Sequence, residues 1–188
     1  MALPSPVVDD RAVATIDVRA LTTADIVAIP RAFDALGWPG KTAALYERYL
    51  ADQASGSRMV FVATSARTIA GYVTVVWVSG YGPFADVEIP EIQDLNVLPE
   101  FRRRGIGWAL MDAAEAAIAD RADTAGIGVG VYADYGAAHL MYLRRGYLPD
   151  GRGLAYRGAT VTPGTSVPMD DDLVLMMTRR LSDRGTVR

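Results

Sequence analysis

The stretch with the clearest chemical content is Ile92-Gln93-Asp94-Leu95-Asn96-Val97-Leu98-Pro99-Glu100-Phe101-Arg102-Arg103-Arg104-Gly105-Ile106-Gly107-Trp108. It reads as a strand, a tight turn and a glycine-rich helix start. The first N–H groups of a helix have no partner within it, and the helix dipole favours an anion there. Gly105 and Gly107 carry no side chain to hold an anion off the backbone, and Arg102, Arg103 and Arg104 set positive charge beside it. Residues of these types at this spacing make a phosphate cradle, with pyrophosphate its natural guest. The plainer alternative is a glycine-containing helix start with solvated arginines. Two other nucleotide loops fail on spacing. A Walker loop needs Gly-Lys-Ser/Thr, and the only lysine is Lys41. The dinucleotide fingerprint needs a third glycine where Leu110 stands, and no first-strand βαβ unit surrounds the pair.

Composition bounds the remaining chemistry. The 188 residues include no cysteine and one histidine, His139. That removes disulfides, thiolate nucleophiles, zinc ribbons and multi-histidine sites, so no metal is expected. A net charge of -3 argues against a nucleic-acid partner. With 51% hydrophobic and 22% charged residues, the chain has the makings of a folded core and not of a disordered polymer. The N-terminus lacks the basic start and long apolar run of a signal peptide, and the most apolar stretch, 72–78, is too short to span a bilayer. A cytoplasmic protein with no membrane contact is the expectation. Of 19 basic residues, 18 are arginine, which fits a GC-rich coding bias.

Elements follow from periodicity. Residues 15–19 alternate as a strand; Thr22 or Thr23 then caps a helix carrying Ile26, Ile29 and Phe33, which Pro30 should bend or interrupt. Residues 37–40 form a loop, and 41–53 a second helix with Leu45, Tyr49 and Leu50 on its apolar face. Residues 59–64 and 69–78 pair as a hairpin, followed by a loop at 79–86 and an extended stretch at 87–97. Pro90 inside that stretch implies an edge, a bulge or a late start. Helices at 105–121 and 136–145 flank a short strand at 126–131; strands starting at Tyr147 and at 172–178 complete the order. Residues 1–14 read as an extension, 15–181 as one domain and 182–188 as a loose tail.

This arrangement resembles the GNAT superfamily of acyl-CoA-dependent N-acyltransferases. Arg102 to Gly107 fits the family's Arg/Gln-x-x-Gly-x-Gly/Ala pyrophosphate loop, and Leu95-Asn96-Val97-Leu98-Pro99-Glu100-Phe101 fits the strand leading into it. Ala138-His139-Leu140-Met141-Tyr142-Leu143-Arg144-Arg145-Gly146-Tyr147 fits the later Ala-x-x-x-Tyr-x-x-x-Gly-Phe/Tyr helix. The resemblance implies an α/β (α+β) fold, with a mixed, mostly antiparallel sheet of about seven strands and about four helices, splayed between strands 4 and 5. It implies acetyl-CoA as cofactor. Its pantetheine arm would pair with the backbone of Leu95, Asn96 and Val97. The cradle of Arg102, Arg103, Arg104, Gly105, Ile106, Gly107 and Trp108 would take the pyrophosphate, with Ala138 close by. Many members carry Asn where Tyr135 stands, so that contact departs from the pattern. A homodimer is among the family's habits.

The implied reaction is direct acetyl transfer to a primary amine. A lysine-like amine has a pKa of about 10.4, so a base or a water chain must relieve it of a proton at neutral pH. Tyr142 falls on the family's tyrosine beside the thioester sulfur, as general acid. Glu91 stands where the histone-acetylating branch has its base; Gln93, where the polyamine branch has a glutamate, cannot serve as one. Glu91 and Gln93 share a strand face, whereas Asp94 is expected on the other. Phe33, Trp38, Trp77 and Tyr81 fall in or beside loops that line the family's acceptor pocket. His139 and the run Asp170-Asp171-Asp172 read first as solvated or half-buried surface groups. A non-catalytic acyl-CoA sensor is the alternative, since Gln93 and Tyr135 depart from common patterns. The acceptor itself is not readable from the chain.

Overall fold

The centre of the sheet is a β-branched hairpin. Strands β2 (Arg58–Ser65) and β3 (Thr68–Val76) are joined by Ala66 and Arg67, both at positive φ, the two-residue turn whose twist suits paired strands. The computed structural model describes residues 15–38 and 40–181; the leading segment 1–14, Pro39 and the tail 182–188 lie outside the described residues. Strand β1 (Ile16–Ala20) pairs with β2 at one edge. On the other side follow β4 (Glu91–Val97), β5 (Thr124–Gly130), β8 (Leu173–Arg180), β6 (Leu148–Tyr156) and β7 (Ala159–Thr160). All neighbours are antiparallel except β4 and β5. The sheet thus has eight strands against the seven expected; the addition is β7, turned back by Arg157 and Gly158 at positive φ.

Helices α1 (Asp25–Asp34) and α2 (Ala43–Ser55) cover one face, around Ile29, Phe33, Tyr46, Val60, Val62 and Tyr72. Helices α4 (Ile106–Ala119) and α5 (Gly136–Arg144) cover the other, where Leu110, Met111, Ala114 and Tyr142 meet Val73, Val75 and Ile92. A fifth, one-turn helix α3 (Gly82–Ala85) forms in the segment expected as a loop, with Pro83 in its first turn. Strand β4 starts late, directly after Pro90. Among the described residues no helix is long and apolar enough to cross a membrane.

Two local expectations are corrected, and a third, that Pro30 would bend or interrupt α1, is narrowed. Neither Thr22 nor Thr23 caps α1: Asp25 reaches back and accepts from the Thr22 N–H and hydroxyl, both at 2.8 Å, and from the Arg19 guanidinium at 2.7 and 2.8 Å. The carboxylate in the first turn engages the Thr22 hydroxyl, so that this side chain serves as a donor to Asp25 and not as the cap. Pro30 lies inside α1 without ending it. On α2 the buried side chain is Tyr46, with Leu45, Tyr49 and Leu50 only partly covered, so the apolar face is centred one residue away from the pattern.

Gly71 is where the sheet tolerates no side chain. A Cβ there would stand 2.3 Å from the Asn96 carbonyl oxygen on β4, a backbone atom that cannot rotate aside. Gly71→Ala should destabilise by about 1–3 kcal/mol, as overpacking does. Thermal unfolding checks this, and an unchanged melting temperature would refute it.

Candidate active site

Strands β4 and β5 pair only at Glu91 with Gly126 and Ile92 with Ile127. Beyond Ile92 they part, and β4 keeps its partner β3 on one side only, at Asn96 with Tyr72 and Val97 with Gly71. The edge of β4 facing β5 is therefore open along 93–97. This is the splay expected between strands 4 and 5, and it leaves the segment Leu95–Val97 without a strand on its β5 side, with the Asn96 carbonyl turned toward Gly71 of β3 and the Val97 carbonyl taken by Arg102.

The cradle begins where β4 ends. Arg103 at φ 60 and Gly105 at φ 85 turn the chain into α4, and no side chain caps the helix. Among the described residues, none of the N–H groups of 103–108 donates to a backbone carbonyl or a side chain. Six donors at a helix start, with exposed Arg103 and Arg104 beside them, suit a pyrophosphate. Arg102 is used differently. Its Nε donates to the Val97 carbonyl at 3.1 Å and its guanidinium lies 5.7 Å over the Trp38 ring. Trp108 is half-exposed under the Arg145 guanidinium. Ala138 packs partly buried on the core side of α5.

Glu91 and Gln93 line a cleft of about 200 Å³ on the face opposite α4, together with Tyr81, Arg157, Val174 and Met176. Glu91 is only 8% exposed. Burial raises its pKa, against hydrogen bonds from Ser79 and Gln93 and the charge of Arg58. The Ser79 hydroxyl donates to it at 2.5 Å and accepts from the Tyr81 N–H at 2.9 Å. A carboxylate held this way suits a proton acceptor better than an exposed one. Tyr142 is buried in the α4 face of the core, which raises its pKa and keeps the hydroxyl protonated. That hydroxyl has no partner among the described residues, yet it is not one of the sealed ones, which belong to Tyr46 and Tyr147. It is free to donate.

Other expected contacts fall elsewhere. Phe33 is fully buried between α1 and Tyr72 and cannot touch an acceptor. Trp38 packs against Phe33 at 5.4 Å, beside the cradle and not in the cleft. Trp77 follows Val73 and Val75 in the alternation of β3, so it lies on the α4 face under Arg121, 4.0 Å from its ring centre. Tyr81 does line the cleft, its hydroxyl donating to Asp150 at 2.9 Å. Tyr135 covers Gly130, and its hydroxyl donates to Asp171 at 2.8 Å; the Tyr132 hydroxyl donates to the same carboxylate oxygen. These two bonds, with a lesser contribution from the charge of Lys41, lower the pKa of Asp171. His139 bonds the Gly130 carbonyl through Nε2 at 2.8 Å.

Sequence reasoning missed a cluster. Asp94 does not point away from Gln93. It sits at φ 54 in a bulge between the Thr74–Gln93 and Tyr72–Asn96 pairs, and the extra residue returns its side chain to the cleft-side face. There it accepts from Lys41 Nζ at 2.5 Å, Tyr72 Oη at 2.6 Å, Tyr49 Oη at 3.0 Å and Asn96 Nδ2 at 2.7 Å. Burial would raise its pKa, but Lys41 and the tyrosine hydroxyls outweigh this and lower it. Asp94 is thus a poor base beside Glu91, which is a better one. Ser79 was missed too; nothing but its contact with Glu91 marks it.

A family model for the acetyltransferase (GNAT) domain matches residues 56–149, half of the chain, and includes β4, the cradle and α5. The chain belongs to the GNAT acetyltransferase family. No curated protein sequence matches it. Solved structures with the same fold include the ribosomal-protein-S18-alanine N-acetyltransferase from Escherichia coli, at TM-score 0.63 and 16% identity over 93% of this chain and 99% of that one. The spermidine/spermine N-acetyltransferase SpeG from Vibrio cholerae matches at TM-score 0.62 and 17% identity, over 89% of this chain and 95% of that one. yncA from Salmonella typhimurium, solved with its cofactor acetyl-CoA, matches at TM-score 0.62 and 16% identity, over 90% and 96%. At these identities the structures speak for the fold of this GNAT protein and not for its acceptor.

The raised pKa of Glu91 has a thermodynamic sign. The fold disfavours the ionised form, so the penalty is full above the folded pKa and vanishes below the ordinary value of 4.5. Glu91→Gln should therefore melt at or above the wild-type temperature at pH 8, with the gain lost on acidification. Melting curves between pH 4 and 8 check it; a variant less stable at pH 8 would contradict the assignment.

Proposed function

We propose that the chain is an acetyl-CoA-dependent N-acetyltransferase that transfers the acetyl group directly to a primary amine, with residues 15–181 as its catalytic unit. The observation that supports this most is the conjunction of unpaired N–H donors at 103–108 with the open edge of β4 and a buried, proton-avid Glu91 beyond it. Acetyl-CoA, when bound, supplies the acetyl group as an activated thioester. The N–H groups of 103–108 hold its pyrophosphate, and the free edge at Leu95, Asn96 and Val97 holds its arm and offers an N–H to the oxygen on which charge develops. Glu91, directly or through one water, takes the proton of the acceptor ammonium; Ser79 keeps its carboxylate oriented. Tyr142 would donate a hydrogen bond to the departing sulfur; its hydroxyl, less acidic than a thiol of pKa about 8.5, stays protonated while it stabilises the charge that develops there.

The acceptor is a small amine or a peptide end that fits a cleft of about 200 Å³. The structural relatives bear names as different as a ribosomal-protein alanine and a polyamine acetyltransferase, so the fold leaves the choice to the loop at 80–81, the end of β6 and the turn at 157–158.

Calorimetry with acetyl-CoA, followed by thiol-release assays over a panel of amines, tests the reading. Binding with turnover is expected; binding with no thiol released from any amine would favour the sensor alternative, and no binding would sink both. Tyr142→Phe should lower kcat on the order of 10²–10⁴-fold, the usual worth of a general acid, with little change in acetyl-CoA affinity. Glu91→Gln should abolish the acidic limb of the kcat/KM profile, which in the wild type lies above the ordinary carboxylate range.

A further inference from the structure

We propose that Lys41, acting through Asp94, is a positioning residue for the transfer: it clamps the β4 bulge that presents the Leu95–Val97 backbone to the open strand gap. The inference rests on the reading of that gap as the thioester site. Lys41 is the one lysine in the chain, and it is not spread on the surface as lysines usually are. Its Nζ lies 2.5 Å from Asp94 Oδ1 and 2.7 Å from Tyr72 Oη, and 5.3 Å over the Tyr72 ring. The side chains of the pair are 17% and 22% exposed.

Asp94 is where β4 most needs holding. Its left-handed backbone is uncommon for a non-glycine residue, although aspartate adopts it more readily than most, and its surroundings help to impose it. The ladder to β5 has ended at Ile92, so no strand on that side can impose it. What does so is a ring of donors from separate elements: Lys41 ahead of α2, Tyr49 on α2, Tyr72 on β3 and Asn96 on β4. Only Lys41 carries the charge that balances the carboxylate. It also ties the segment leading into α2 to the strand that carries Glu91 and Gln93, and its charge is felt by Asp171 beyond the splay. A shift of this bulge moves the N–H groups at 95–97 against the reacting carbonyl, while the cradle at 103–108 stays in place.

Lys41→Met, Lys41→Arg and the double variant Lys41→Met/Asp94→Asn separate this from a role in stability alone. In Lys41→Met, kcat should fall on the order of 100-fold, the cost of a misplacement of about 1 Å, with affinity for CoA within about threefold of wild type. Lys41→Arg, which keeps cation and donors, should recover about tenfold of that loss. The double variant removes the unpaired buried charge and should melt near the wild-type temperature while kcat stays low. Hydrogen exchange of the peptide 91–97 needs no acceptor and should quicken in Lys41→Met. A kcat within about twofold of wild type in Lys41→Met, a full recovery of kcat in the double variant, or unchanged exchange would each overturn the proposal. Failure of the wild type to release thiol with any amine would instead strike the transferase reading, and the exchange measurement would still decide the clamp.

Discussion

A parallel strand pair that lasts two residues and then opens is the constraint around which the rest of the molecule is arranged. Backbone N–H and C=O groups taken out of a ladder must find other partners or face a ligand. Here β4 loses β5 after Ile92, so it is held by β3 on one side and by side chains from the α2 face. The helices divide accordingly. α4 packs across the sheet and starts with its donors unspent, while α1 and α2 build the platform under Tyr72 that receives Asp94.

The same economy governs charge. Three carboxylates are handled in three ways. Asp94 is fully compensated by Lys41 and hydroxyls, Asp171 is quieted by two tyrosines, and Glu91 is left with one serine and a glutamine. Their pKa values diverge in consequence, and divergence among neighbouring carboxylates is how one site can keep a base apart from structural anions. Breaking a pair as enclosed as Lys41 and Asp94 costs on the order of 3 kcal/mol, a sizeable part of a domain's margin.

Much of this was legible in the residues. The cradle is written in Arg-x-x-Gly-x-Gly because backbone donors need glycine and positive charge at fixed offsets, and the hairpin is written in alternating β-branched residues. What escaped was set by tertiary contact. Strict alternation puts Asp94 on the far face; one inserted residue in β4 reverses that, and the lysine paired with it lies more than fifty positions away. The same alternation, applied to β3, would have sent Trp77 to the α4 face, where loop proximity suggested the acceptor pocket. Phe33 and Tyr46 are apolar-face residues whose depth no periodicity ranks. Ser79 has no signature at all until Glu91 lies beside it.

The lone lysine has one more consequence. An enzyme that handles activated acyl groups is exposed to them, and amines are what such groups modify. Apart from His139, every other basic side chain here is a guanidinium, which stays charged and does not compete as a nucleophile. The single side-chain amine spends its donors on Asp94 and Tyr72. Lysine acylation of this chain thus has one possible target, and that amine is already committed to two partners.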